Sequence, residues 1–219
     1  MNYYQFSPND QMWNNWLLFD EQKQEPRLLV KDQYKRLVCP KCLKFDYDKA
    51  FKAGFDSEIR IRARGDFLES SDGFLCVSEK LKRLIYEQGV CGVSLKPAGK
   101  SGWHVVNVTI RVEADQQALK ANKPICHSCK RPGSVTGSFY ALRQIEVPPK
   151  RTAFFTTILE RNGCDRDAFV TEDVLQMFIK GKFKGGEFHK LLTTEEEAHL
   201  TATAAKGKPR WPPHSKIFL

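Results

Sequence analysis

No apolar run in this chain of 219 residues approaches the roughly twenty needed for a helix to cross a bilayer. The first residues, Met1-Asn2-Tyr3-Tyr4-Gln5-Phe6, lack the charged start and apolar middle of a secretory leader. The expectation is a folded cytoplasmic protein with no membrane partner and reduced thiols. Signatures of catalysis are missing too. The histidines at 104, 127, 189, 199 and 214 show no HExxH spacing, and no GxSxG motif is present. Residues 97–102 echo the end of a phosphate-binding loop, but that loop needs a glycine where Ser94 stands, so the stretch reads as a turn. Cys76, Cys91 and Cys164 lie beside apolar segments and read as packed thiols. Concentrated charge is absent as well: the net +9 is spread along the chain, whereas a protein that tracks phosphates gathers its cations on one face.

What is present is a pair of CxxC knuckles, Cys39-Pro40-Lys41-Cys42 and Cys126-His127-Ser128-Cys129. Each offers two thiolates, four suit one tetrahedral ion, and Zn²⁺ is the usual occupant in a reducing compartment. Lys41 and Lys130 stand beside the thiolates, where they offset the negative charge of such a centre. The expectation is a structural zinc-ribbon-like site formed by Cys39, Cys42, Cys126 and Cys129. Free thiols, a disulfide pair or a redox CxxC are the alternatives; a redox motif opens a helix next to a strand, and neither knuckle has that context. The knuckles are 83 residues apart, where a compact ribbon has about fifteen to twenty, so the ion would tie a large excursion to its base.

Arg60, Arg62 and Arg64 alternate with Ile59, Ile61 and Ala63. Period two predicts a strand with the arginines on one face, either a solvated face or one that binds an anion or a partner. From 193 onward the composition changes to an acidic run, small residues and then Lys208-Pro209-Arg210-Trp211-Pro212-Pro213. Prolines this dense predict an extended tail with no regular element beyond Pro209. Arg210 and Trp211 are a second candidate contact, the alternative being a disordered tail.

The strongest grammar is a repeat. Residues 73–95 run from a short apolar strand through Ser78, a helix N-cap, and Glu79 to a stripe of Leu81, Leu84 and Ile85, and return as a strand. Ninety-three residues on, Thr171, Glu172, Val174, Met177 and Phe178 take the same places without a gap; Gly185 falls on Gly92 and Phe188 on Leu95. This predicts a duplicated strand–helix–strand unit, the second over 168–188, against the alternative of two unrelated helices with ordinary caps. Further strands are expected in a strand-rich opening to residue 38, over 103–113, and over 139–147 and 152–158. The fold class is α+β with mixed or antiparallel sheets, organised as a body over 1–192 and a tail over 193–219.

Two widely spaced CxxC knuckles, with the repeated Ser/Thr-Glu start to a helix closing on Gly-x-x-Leu/Phe, make the chain resemble the double-CxxCG proteins first grouped in myxobacteria. It is similar also to the related immunity-protein families of polymorphic toxin systems. Where that pattern has glycine after each CxxC, this chain has Leu43 and Lys130. The resemblance implies a non-enzymatic protein that binds and neutralises a cognate toxin encoded nearby. The reading from another class is a zinc-ribbon nucleic-acid binder that uses the arginine row.

Overall fold

Ser78 and Thr171 start two helices of nine residues each, and the elements around them coincide. The computed structural model describes residues 2–8, 17–18, 31–43, 45–112, 119–121, 126–130, 135–137, 154–157, 168–191, 195–196, 198–199, 202 and 216–219. In chain order its strands and helices are β1 (Tyr3–Pro8), α1 (Tyr47–Ala53), β2 (Phe67–Glu69), β3 (Leu75–Ser78), α2 (Glu79–Glu87), β4 (Val93–Pro97), β5 (Trp103–Val108) and β6 (Arg111–Val112). They continue with β7 (Leu119–Ala121), β8 (Val135–Gly137), β9 (Phe154–Thr157), β10 (Ala168–Thr171), α3 (Glu172–Lys180), β11 (Gly186–Lys190) and β12 (Lys216–Phe218). The chain is α+β. One sheet has the order β12-β11-β1-β10-β9-β6, a second β2-β3-β5-β4, and β7 and β8 form a hairpin pair. Pairing is antiparallel except for β6 with β9.

The duplication extends from helices to sheets. β3, α2 and β4 recur as β10, α3 and β11 with unchanged lengths and the same offset. Registers match as well. Ser78 faces Trp103 as Thr171 faces Tyr3, and Leu95 faces Val106 as Phe188 faces Phe6. Phe67 beside Val77 corresponds to Phe154 beside Val170. Thus β2-β3-β5-β4 in the first unit is matched by β9-β10-β1-β11 in the second. The strand between the two ends of the unit is supplied from after the unit in one case (β5) and from the N-terminus of the chain in the other (β1).

The caps are not equal. Ser78 Oγ accepts from Leu81 N–H at 3.2 Å and donates to Asp66 Oδ1 at 2.7 Å, so the carboxylate orients the hydroxyl for capping. Thr171 makes no side-chain cap bond, which corrects the expectation of matching caps. The physical difference is the carboxylate: the residue just before β9 is Ala153, where the first unit has Asp66 just before β2.

Two cores result. Val77, Leu81, Ile85, Val90, Val106 and Phe67 from the first unit share one core with their counterparts Val170, Val174, Phe178, Phe183, Phe6 and Phe154 from the second. The opposite face of the first sheet, with Leu68, Cys76, Trp103 and Val105, forms a second core with Leu17, Leu18, Tyr34, Tyr47, Phe51, Ile59 and Ile61. β5 is therefore buried on both faces. Buried Asp72 anchors the second core. Its Oδ2 accepts from Leu17 N–H at 3.0 Å and Leu18 N–H at 2.7 Å, and its Oδ1 from Ser70 Oγ at 2.6 Å.

Three expectations differ from the structure, and one helix is additional. The opening contains β1 but also a 3-10 helix over Asp32–Leu37, where the charges of Asp32, Lys35 and Arg36 suit exposed turns better than a strand face. Residues 47–53, to which the sequence assigned no element, form α1, whose start is capped by Asp46 accepting from Lys49 N–H at 3.0 Å. The long strand over 103–113 is divided into β5 and β6, which join different sheets. The tail does hold a regular element beyond Pro209: Lys216–Phe218 form β12 against β11, three residues past the last proline and free of its missing N–H. The strand expected over 139–147 lies outside the described residues.

Candidate metal centre

Each knuckle folds as a short turn closed on its own first cysteine. Leu43 N–H donates to Cys39 C=O at 2.8 Å, and Lys130 N–H donates to Cys126 C=O at 2.7 Å. To make that bond the fifth residue of each knuckle enters the left-handed region, with φ of 59° at Leu43 and 60° at Lys130. Glycine occupies that region without steric cost, while an L side chain carries about 1–2 kcal/mol against it. Two non-glycine residues in one strained geometry, each directly after a CxxC, show that the turn is imposed by its surroundings and not by residue preference. The first knuckle is further pinned by the bridge between Val38 and Phe45 and by Asp46 N–H donating to Leu37 C=O at 2.8 Å.

The four sulfurs Cys39, Cys42, Cys126 and Cys129 lie within 4.8 Å of one another. Cys39 Sγ is 3.8 Å from Cys126 Sγ, and Cys42 Sγ is 3.5 Å from Cys129 Sγ. An ion with four thiolates at about 2.3 Å in tetrahedral array has its sulfurs about 3.8 Å apart, so the separations fit. A disulfide needs sulfurs near 2 Å, and none joins the described cysteines. The four thiols can hold a metal ion.

Their electrostatics suit that role. The Cys39 thiol is lowered to about 6, first by the backbone N–H groups of Cys42 and Lys41 aimed at its sulfur, and further by the thiols of Cys42 and Cys129. Cys126 is lowered in the same way by the N–H groups of Cys129 and Ser128. Amides turned toward the first sulfur of each knuckle stabilise the thiolate, the form that binds metal. Cys76 behaves oppositely: it is fully buried, and its thiol is pushed well above its ordinary value by burial and by Asp72 and Glu69. That fits a packed thiol, as expected from its apolar neighbours.

Arg60, Arg62 and Arg64 are exposed while Ile59 and Ile61 are buried in the second core, so the alternation predicted from sequence holds. The segment is not a hydrogen-bonded strand. It crosses the second core without regular structure, with Ile59 N–H donating to Asp56 C=O at 3.2 Å. Arg210 and Trp211 lie outside the described residues.

A polar cluster at the start of α2 was not singled out from sequence. His104 is 6% exposed; its Nε2 lies 3.0 Å from Lys82 Nζ and 3.5 Å from Glu79 Oε2, and its Nδ1 is buried without a hydrogen-bond partner among the described residues. Burial and then Lys82 push the imidazole below its ordinary value, against a smaller pull from Glu79. A lone histidine in an apolar strand carries no local sign of such neighbours, because Lys82 and Glu79 reach it only through the packing of α2 on β5.

No protein-family model matches the chain, and no curated protein matches its sequence. The class of protein is therefore the one its fold and site define: an α+β protein built from a duplicated unit, with a four-cysteine cluster able to hold a metal ion.

Proposed function

We propose that the four thiolates hold one structural Zn²⁺ and that this chain is an immunity protein, which binds a cognate toxin encoded nearby and neutralises it by occlusion in the cytoplasm. The closed thiol cluster carries the reading. Four protein sulfurs fill all corners of a tetrahedral shell, leaving no place for a water or substrate, so the ion serves to hold the chain together. It joins residues 39–42, which border the second core, to residues 126–129. The result is a scaffold that acts by presenting surface. The family resemblance of the knuckles and the repeat supports the choice of a toxin as partner. Exposed Arg60, Arg62 and Arg64 offer cations to an acidic or neutral toxin surface.

Co-expression tests this. The toxin gene adjacent to this one is expected to kill cells alone and to spare them with this protein present. An Arg60/Arg62/Arg64→Glu variant that folds and holds zinc is expected to protect less. Absence of protection by the native protein against any adjacent gene product removes the immunity reading.

The exposed arginine row also favours a second reading, a zinc-stapled nucleic-acid binder. Affinity for DNA or RNA that falls steeply with salt, and is lost in the same triple variant, would replace the first reading by the second.

A further inference from the structure

The two units differ at one edge. In the second, β11 is paired on both sides, by β1 and by β12, with Ile217 opposite Phe188 and Lys216 opposite His189. Leu219 N–H donates to Gly186 C=O at 2.8 Å and extends that ladder. In the first unit, β4 pairs only with β5 among the described residues and ends its sheet. Bonds from Thr109 N–H to Gly92 C=O and from Ala98 N–H to Trp103 C=O fix the alternation, so even-numbered residues of β4 face β5. The N–H and C=O of Leu95 and the C=O of Val93 then point outward. They are the counterparts of the groups on Phe188 and Gly186 that receive β12. The side chains agree, because Val93 and Leu95 are half-buried against the shared core, as are Ile217 and Leu219.

We infer that the outer edge of β4 is a docking site for an extended strand of a partner protein, running antiparallel to β4 and placed as β12 is on β11. Self-pairing is disfavoured by Pro97. In an antiparallel pair of β4 strands centred on Leu95, the C=O of each Val93 would face a Pro97 nitrogen with no hydrogen. A strand in the place of β12 never needs that position, because β12 faces only the counterparts of Ser94, Leu95 and Lys96. Lys96 sets the chemistry. Its Nζ is bound to Lys52 C=O at 2.9 Å and lies over the Phe51 ring, so a cation is held beside the edge where the second unit sets Lys216 opposite His189. The strand that fits reads acidic–apolar–any–apolar, its apolar residues opposite Leu95 and Val93. That the strand belongs to the toxin rests on the function proposed above; the edge itself rests on the duplication.

The test uses zinc-loaded protein spanning residues 1–219 titrated with two synthetic peptides, residues 214–219 as they stand and the same peptide with Lys216→Glu, followed by backbone amide NMR. The Lys216→Glu peptide is expected to shift the Val93 and Leu95 resonances and to slow exchange of the Leu95 amide by roughly tenfold or more. Leu95→Pro, which removes an outward N–H and spares the ladder to β5, is expected to abolish this binding. Lys96→Glu is expected to exchange the peptide preference while leaving the fold intact, a control should Leu95→Pro fold poorly. Shifts confined to β11 and β12, no shift at all, equal binding by Leu95→Pro and Lys96→Glu, or a monomer–dimer equilibrium that Leu95→Pro removes would each overturn the inference. In co-expression, undiminished protection by a folded Leu95→Pro protein would overturn it while leaving the immunity reading standing. Failure of the native protein to protect would remove the toxin as partner and leave the peptide titration to decide the edge.

Discussion

Asp66 and Lys184 hold each other twice: Asp66 N–H donates to Lys184 C=O at 2.8 Å, and Lys184 N–H donates to Asp66 Oδ2 at 3.1 Å. The other carboxylate oxygen of Asp66 takes the Ser78 hydroxyl. One side chain therefore joins the start of α2 in the first unit to the loop before β11 in the second. Phe154 N–H donating to Cys91 C=O at 3.0 Å joins the units in the other direction, one residue out of register with the Asp66–Lys184 bond.

Asp66→Ala leaves Lys184 N–H without its acceptor and frees the Ser78 hydroxyl, and is expected to cost about 1–3 kcal/mol. Ser78→Ala alone is expected to cost about 1 kcal/mol through the lost cap. Because the two residues share one network, the double variant should lose less than the sum, by about 0.5 kcal/mol or more. Urea unfolding of all four proteins measures this, and strict additivity would show that the carboxylate does not orient the cap.

Gly92 and Gly185 make reciprocal approaches across the shared core. A Cβ on Gly92 would collide with Phe154 C=O, and one on Gly185 would lie 3.4 Å from Phe67 C=O, with φ of 74° and 91°. Both alanine variants carry the left-handed cost of about 1–2 kcal/mol, and Gly92→Ala adds a backbone collision that only a shift between the units relieves. Thermal unfolding is expected to rank Gly92→Ala well below Gly185→Ala; equal melting temperatures would mean that the contact relaxes freely.

Cys39→Ser and Cys126→Ser are each expected to abolish tight zinc binding in elemental analysis, since three thiolates and a hydroxyl make a poor structural site. An ion held there would close a loop of more than eighty residues, so its removal should lower stability by about 4 kcal/mol by analogy with a cross-link of that span. Full zinc content in either variant would remove the assignment.

At the knuckles, Leu43→Gly and Lys130→Gly are expected to raise stability or leave it unchanged, within about 1 kcal/mol, by relieving the left-handed strain. Alanine at the same positions should bring no gain. If glycine destabilises as alanine does, side-chain contacts and not backbone strain decide these positions.

His104 gives a pH dependence of defined sign. Its folded value lies below the ordinary 6.5, so the unfolded chain takes up the proton first as pH falls. Stability from this group is complete above about 6.5 and is lost as pH falls through that value toward the lowered one. Denaturant titrations from pH 8 to 5 should show a shallower decline for His104→Tyr, which installs the side chain that Tyr4 provides at the matching register. An unchanged slope would assign the acid sensitivity to other groups.

Local chemistry was legible in the sequence. Ser78 and Thr171, the acidic first turns and the apolar stripes fixed the two helices and their common offset, because caps and helical periodicity act within a few residues. The knuckles named the four cysteines that can hold an ion for the same reason, and the alternation over 59–64 gave the exposure of Arg60, Arg62 and Arg64 although the segment pairs with no strand among the described residues. Tertiary structure alone decided what joins what. That Tyr3 pairs with Thr171 as Trp103 pairs with Ser78, that Asp66 reaches Lys184, and that Leu43 and Lys130 are driven into the left-handed region all depend on contacts between residues far apart in the chain or on closure of a cluster. Propensity and periodicity sum only over neighbours, whereas strand partners and a convergent set of thiols are selected by the burial of a shared core, whose geometry exists only once both units have met.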